Sequence, residues 1–346
     1  MTDSVFLAAA RGHAGAHTPV WFMRQAGRSL PEYKTIRGDG SILHAIKDPA
    51  VAAEITLQPV RRYGVDAAVL FSDIVVPAHA IGFGIDVSPG TGPVATTPFR
   101  RASDLPRVRA LEPEIDTPYV VETCRILAAE LPPGVPLLAF AGAPFTVASY
   151  LIEGRPSRTY EHTKALMHTD EGTWHDLMNR LADHAIASLR SQLNAGAAAF
   201  QLFDSWAGAL SRSDYERFAM PHSARVFAEL QSSHPSAPAI HFGIGCDHIL
   251  EPMYAAGASV IGLDWRTSIS AARARLGPNT VVQGNLDPAL VLAGWSVAQQ
   301  GCNQVLADNG GHPGHIFNLG HGVQPNTDPG VLEHITTYVH QRTARP

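Results

Sequence analysis

The stretch Thr173-Trp-His-Asp-Leu-Met-Asn-Arg-Leu-Ala-Asp-His-Ala-Ile-Ala-Ser-Leu-Arg-Ser-Gln-Leu-Asn194, then Ala-Gly196, then Ala197-Ala-Ala-Phe-Gln-Leu-Phe203, holds one complete helix-to-strand unit. Leu177, Leu181, Ala185, Leu189 and Leu193 fall four apart, so in a helix they share one face. Gly196 supplies the stop, because glycine takes the left-handed backbone of a helix end without steric cost. The run that follows is apolar at nearly every position. That suits a strand covered on both faces, as a parallel sheet requires.

Similar runs occur on either side, at 20–23, 67–71, 136–140, 239–242, 260–263, 281–283 and 315–319, which makes eight candidate strands. Helical periodicity separates them. Asp48-Pro49 and Asp287-Pro288 each place a capping carboxylate before a proline at the first helical position, where the missing N–H costs nothing. Pro59 is expected to kink or shorten the first of these helices. The proline-rich stretches 89–113 and 132–136 read as loops, and no repeat with the period of a solenoid is present. Strand and helix alternating eight times predict an α/β fold, a single (β/α)8 barrel of the TIM type over residues 1–346.

The composition agrees with a compact globular chain: 45% of residues are hydrophobic and 16% charged. A net charge of -5 argues against broad attachment to nucleic acid or to an anionic membrane, which a basic excess would hold. Cys124, Cys246 and Cys302 are far apart and form no C-x-x-C pair, so neither a disulfide framework nor a zinc ribbon is indicated. The start lacks a basic segment and a long apolar run of the secretory kind, and nothing resembles a membrane span. A cytoplasmic location is the expectation.

In such a barrel, chemistry collects at the carboxyl ends of the strands. Those ends carry Arg24-Gln-Ala-Gly-Arg28, Ser72-Asp73, Gly142-Ala-Pro-Phe-Thr146, Asp204-Ser-Trp206 and Gly320-His-Gly322. Arg24 and Arg28 flank a small turn, with Arg37 not far behind. Guanidinium groups pair bidentately with carboxylates at any working pH, so a polycarboxylate ligand is the natural reading. Asp73 would set a carboxylate in an otherwise apolar mouth, where it serves either a structural ion pair or catalysis. Tyr150, Ser205 and His321 each follow a strand closely enough to reach the same mouth. A Ser205, His321 and Asp204 triad can be drawn on paper, but no G-x-S-x-G elbow supports it. Gly90-Thr-Gly92 and Gly243-Ile-Gly245 are turn glycines and not a dinucleotide fingerprint, and the seventeen histidines form no H-E-x-x-H cluster, so neither cofactor nor metal is indicated.

Seven segments resemble, in order, the signature set of the uroporphyrinogen decarboxylase family: Pro19-Val-Trp-Phe-Met-Arg-Gln-Ala-Gly-Arg28, Leu30-Pro-Glu-Tyr33, Leu70-Phe-Ser-Asp73, Gly142-Ala-Pro-Phe-Thr146, Gly262-Leu-Asp-Trp265, Gln283-Gly-Asn-Leu-Asp-Pro288 and Asn318-Leu-Gly-His-Gly322. The resemblance runs from about residue 19 to 328. It implies a barrel, a homodimer, and decarboxylation of a cyclic tetrapyrrole polyacid without a cofactor. It further implies that Arg24, Gln25, Ala26, Gly27 and Arg28 form a substrate-binding turn, that Arg37, Tyr150, Ser205 and His321 contact substrate, and that Asp73 is the central carboxylate. Asp73, Arg24, Arg37, Tyr150 and His321 are the candidate catalytic groups. The family usually carries an aromatic residue where this chain has Ser29. Two alternatives remain: a zinc- and corrinoid-linked methyltransferase of the same superfamily, and a non-catalytic tetrapyrrole carrier. The former uses His-x-Cys where this chain reads His241-Phe-Gly243.

Overall fold

A computed structural model describes residues 4–38, 41–88 and 91–345. Pro89 and Gly90, together with the extreme ends of the 1–346 reading, lie outside the described residues.

Nine strands are present among the described residues: β1 (Ala68–Val69), β2 (Ile85–Ser88), β3 (Gly92–Ala95), β4 (Leu137–Gly142), β5 (Ala199–Asp204), β6 (Ala239–Gly243), β7 (Val260–Gly262), β8 (Val281–Gln283) and β9 (His315–Ile316). Strands β1, β4, β5, β6, β7, β8 and β9 pair in that order, every pair parallel. β6 is buried at every position and β4 and β5 at all but one each, as expected for strands covered on both sides.

The eighth place in the ring is held by Val20. It forms a parallel bridge to Phe317, and its carbonyl accepts from Asp66 N at 2.8 Å, just ahead of β1. The segment 20–23 is thus not the regular strand that its apolar run predicts. Its amides leave the ladder early: Phe22 N donates to Gln25 Oε1 at 2.9 Å and Met23 N to Asn318 Oδ1 at 3.0 Å. Side-chain acceptors have replaced a neighbouring strand, and the backbone turns at Met23.

The helix Glu171–Asn194 matches its periodicity, with Asp170 capping Thr173 N at 3.1 Å and Gly196 at φ 119° beyond its end. Asp48 and Asp287 cap the helices Pro49–Tyr63 and Pro288–Leu292 as expected. Pro59, however, does not shorten its helix, which runs on to Tyr63 before Gly64 caps it in left-handed backbone. One lost N–H is offset there because Ile55, Val60 and Tyr63 are buried in the core. From residue 91 to 113 the chain is also more structured than a loop, since β3 pairs with β2 and a 3-10 turn spans Ala102–Arg107.

A polar ladder crosses the barrel interior. Trp21 Nε1 donates to Gln283 Oε1 at 2.9 Å, and Gln283 Nε2 donates to Gln201 Oε1 at 2.8 Å. β5 and β8 are not neighbours in the sheet, so this last bond spans the core. Replacing Gln283 with leucine strands the Trp21 N–H and the Gln201 carbonyl in an apolar interior. We expect a loss of about 3 kcal/mol in urea-denaturation stability. An unchanged midpoint would show that the ladder is not needed.

Candidate active site

The turn after Met23 is built by side chains whose polar ends are taken by backbone groups. Gln25 is 1% exposed; its Oε1 takes Phe22 N and its Nε2 donates to Ala67 O at 2.9 Å. Asn318 Oδ1 accepts both Met23 N and Leu319 N, tying the turn to the last strand segment. The Gln25 side chain thus holds the turn in place, with both polar ends occupied by protein.

So held, the turn places two arginines in left-handed backbone, Arg24 at φ 61° and Arg28 at φ 52°, with Gly27 between them at φ 88°. Side chains disfavour this region, which is why such strain tends to concentrate at functional sites. Gly27 also has a packing reason: a Cβ there would come within 3.3 Å of the Phe71 ring and 3.4 Å of Tyr33. Arg24 is exposed, while Ala26 and Arg28 are half-buried. Gly322 leaves room for Arg24, because a Cβ at 322 would stand 2.5 Å from its Cδ.

Asp73 arrives from β1 by way of Leu70, Phe71 and Ser72. Its Oδ1 accepts Val75 N at 3.0 Å, which fixes the carboxylate at the turn. Burial raises its pKa, opposed by the Val75 hydrogen bond and by the charge of Arg24. Tyr150, on the helix Pro144–Glu153, stacks on Trp206 with ring centres 3.8 Å apart. Burial, with the Asp73 charge added, pushes its phenol well up, so Tyr150 stays a protonated donor. His321 feels Arg24 too, and burial together with that cation pushes it down to about 4. Its Nδ1 accepts Gly322 N at 2.6 Å, which leaves the proton of the neutral ring on Nε2.

The charge of Arg24 thus acts on Asp73, Tyr150 and His321 alike, which gathers the four around one mouth. Ser205 follows β5 beside Trp206, half-exposed at the same end of the sheet. Arg37 is the last residue of the helix Pro31–Arg37 and sits over the Tyr33 ring at 5.4 Å, and Tyr33 in turn meets Phe71 edge-on. The paper triad does not assemble. Asp204 is buried, with Oδ1 accepting Thr146 Oγ1 at 2.8 Å and Oδ2 3.7 Å from His241 Nε2, while His321 is turned to Gly322.

One cation at the mouth was missed by the sequence reading. Arg266 stacks on Trp265 at 3.9 Å, pairs with Asp264 Oδ2 at 2.6 Å and contributes to the His321 shift. It lies one residue past the segment Gly262-Leu-Asp-Trp265. Gly320 is required beside it, because a Cβ would collide with Trp265 N. Of Gly243-Ile-Gly245, only Gly245 is a turn glycine, at φ 67° with its N–H donated to Asp264 Oδ2, while Gly243 ends β6.

Burial also fixes an acid limit on stability. His222, His315 and His321 are all pushed down to about 4, burial being the first cause in each. Unfolded, a histidine titrates near about 6.5. Between those values the unfolded chain binds protons that the fold refuses, so stability falls as pH drops from about 6.5 towards 4. Urea midpoints measured at pH 7.5 and pH 5 should show this decline, shallower in His315→Gln. Equal midpoints would contradict it.

Residues 1–342 match the family model described as uroporphyrinogen decarboxylase. The chain is 54% identical over 344 residues to the uroporphyrinogen decarboxylase of Salinispora tropica, covering 99% of this chain and 92% of that one. It is 52% identical to that of Saccharopolyspora erythraea, covering 100% and 97%. Among solved structures, a methyltransferase from Methanosarcina mazei superposes with a TM-score of 0.78 at 17% identity, covering 98% of this chain and 97% of that one. This last likeness concerns the fold alone.

Proposed function

The chain belongs to the uroporphyrinogen decarboxylase family, and on that premise we propose that it converts the four acetate side chains of uroporphyrinogen III to methyl groups, giving coproporphyrinogen III in porphyrin and haem biosynthesis. The observation that carries the reading is the placement of Asp73 at the end of β1, within reach of the Arg24 charge and facing the same mouth as Tyr150.

A porphyrinogen has four pyrrole N–H groups that can converge on one carboxylate, and Asp73 is assigned to gather them. Protonating the pyrrole carbon next to an acetate makes a cationic ring. The bond from the side-chain methylene to the carboxylate then breaks, CO2 leaves, and the electron pair quenches the cation. The methylene carbon then takes up a proton while the ring carbon gives up the one it received, which restores the pyrrole and completes the methyl group, for a net uptake of one proton. The substrate is its own electron sink, so the reaction needs no cofactor. Asp73 stabilises the cation electrostatically, and it does so best where water is scarce.

Arg24, Arg28 and Arg37 are assigned to the substrate carboxylates, with the backbone of residues 25–27 shaping the turn between the first two. His321, neutral at working pH, serves as an Nε2–H donor instead of as an acid, and Tyr150 and Ser205 offer hydroxyls. From the family we also propose a cytoplasmic homodimer, to be checked by sedimentation of the purified chain. No described helix is long and apolar enough to cross a membrane.

The rival reading, a tetrapyrrole carrier, differs in its need for ring N–H groups. Equilibrium binding of uroporphyrinogen and of a zinc-filled uroporphyrin, which has the same side chains and no N–H, separates the two. The decarboxylase reading expects the reduced ring to bind at least tenfold more tightly. Equal affinities would favour a carrier.

A further inference from the structure

Far from the mouth, at the opposite end of β1, three side chains from distant parts of the chain meet. His17 Nε2 lies 2.9 Å from Asp66 Oδ1, and His340 Nε2 lies 2.7 Å from Asp66 Oδ2. The two imidazole rings are 4.0 Å apart, centre to centre. One donor atom from each residue falls within 4.8 Å of the other two, with Asp66 buried and both histidines half-buried. The site is held firmly: Val20 N donates to Asp66 Oδ2 at 2.7 Å, and Thr18 N donates to Thr343 Oγ1 at 2.9 Å. Thr18 and Thr343 also line a surface cleft of about 680 Å³, which gives solvent a path to this end of the barrel.

We infer that His17, Asp66 and His340 form a binding site for one divalent transition cation of the zinc kind, with solvent completing the coordination. Two imidazoles and one carboxylate on one side of an ion, with an open position, are a donor set suited to zinc and ill suited to magnesium or calcium, which take oxygen. Both Nε2 atoms already converge on the carboxylate; binding needs each neutral ring to carry its proton on Nδ1 and the two Nε2–carboxylate contacts, now 2.9 and 2.7 Å, to open and admit the ion. The ion would join three segments that close the barrel: the stretch before Val20, the lead into β1 and the last helix, Pro329–Thr343. The role is structural, since Asp66 precedes β1 and Asp73 follows it. The inference does not depend on the decarboxylase reading.

The test is zinc titration of the chelator-stripped, purified chain against a chromophoric competitor. One equivalent should bind tightly, magnesium at millimolar concentration should not displace it, and His17→Ala/His340→Ala should weaken binding at least tenfold. At a zinc concentration one hundred times the Kd, the folding equilibrium should shift about one hundredfold towards the native chain. Should the double variant fail to fold, the zinc-edge absorption spectrum of the wild type decides. Two imidazoles with oxygen support the site. Sulfur ligation, equal affinity in the folded double variant or no uptake by the wild type would overturn it.

Discussion

Asparagine in place of Asp73 is expected to slow turnover by about two to three decades, equivalent to about 3 to 4 kcal/mol of barrier, while uroporphyrinogen still binds. The substitution keeps the shape of the side chain and an oxygen to accept Val75 N, so the turn after β1 should survive. What it removes is the negative charge opposite the cation that forms when the ring is protonated. A loss confined to binding, with normal turnover of bound substrate, would place Asp73 among the anchoring residues. Near-normal turnover and binding would remove it from the mechanism.

The second large effect concerns Arg24. Arg24→Asn is the informative variant, because asparagine tolerates the left-handed φ of 61° found there. The turn should fold, and the urea midpoint should stay where it was. We expect kcat/KM to fall by about two decades, since a charge pair with a substrate carboxylate costs about 2 to 5 kcal/mol to break from one side. Arg24 also lowers the Asp73 pKa against the effect of burial. Its removal should therefore shift the acid limb of the rate profile to higher pH. A profile that keeps its shape, with kcat/KM unchanged, would show that Arg24 serves neither purpose.

Much of this site can be read from the chain because strand ends announce themselves. Apolar runs stop abruptly at Asp73, Asp204 and Gly320, and each break marks the mouth of the barrel. The arginine-flanked turn is visible for the same reason, but the job of Gln25 is not. Its partners, Phe22 N and Ala67 O, are backbone groups, and no residue pattern encodes them. The early exit of residues 20–23 from the ladder is hidden likewise, since it depends on Asn318 from the far end of the sequence. β2 and β3 are short and only partly buried, and they flank proline and glycine, so periodicity has little to act on. His17, Asp66 and His340 escape motif reading altogether, being 49 and 274 residues apart where they bond.

The most direct measurement is chromatographic analysis of anaerobic incubations of uroporphyrinogen with the purified chain, stripped of metal and supplied with no cofactor. The account predicts successive loss of carboxylates from eight to four, ending at coproporphyrinogen. Intact uroporphyrinogen, or conversion only when zinc and a corrinoid are added, would contradict it.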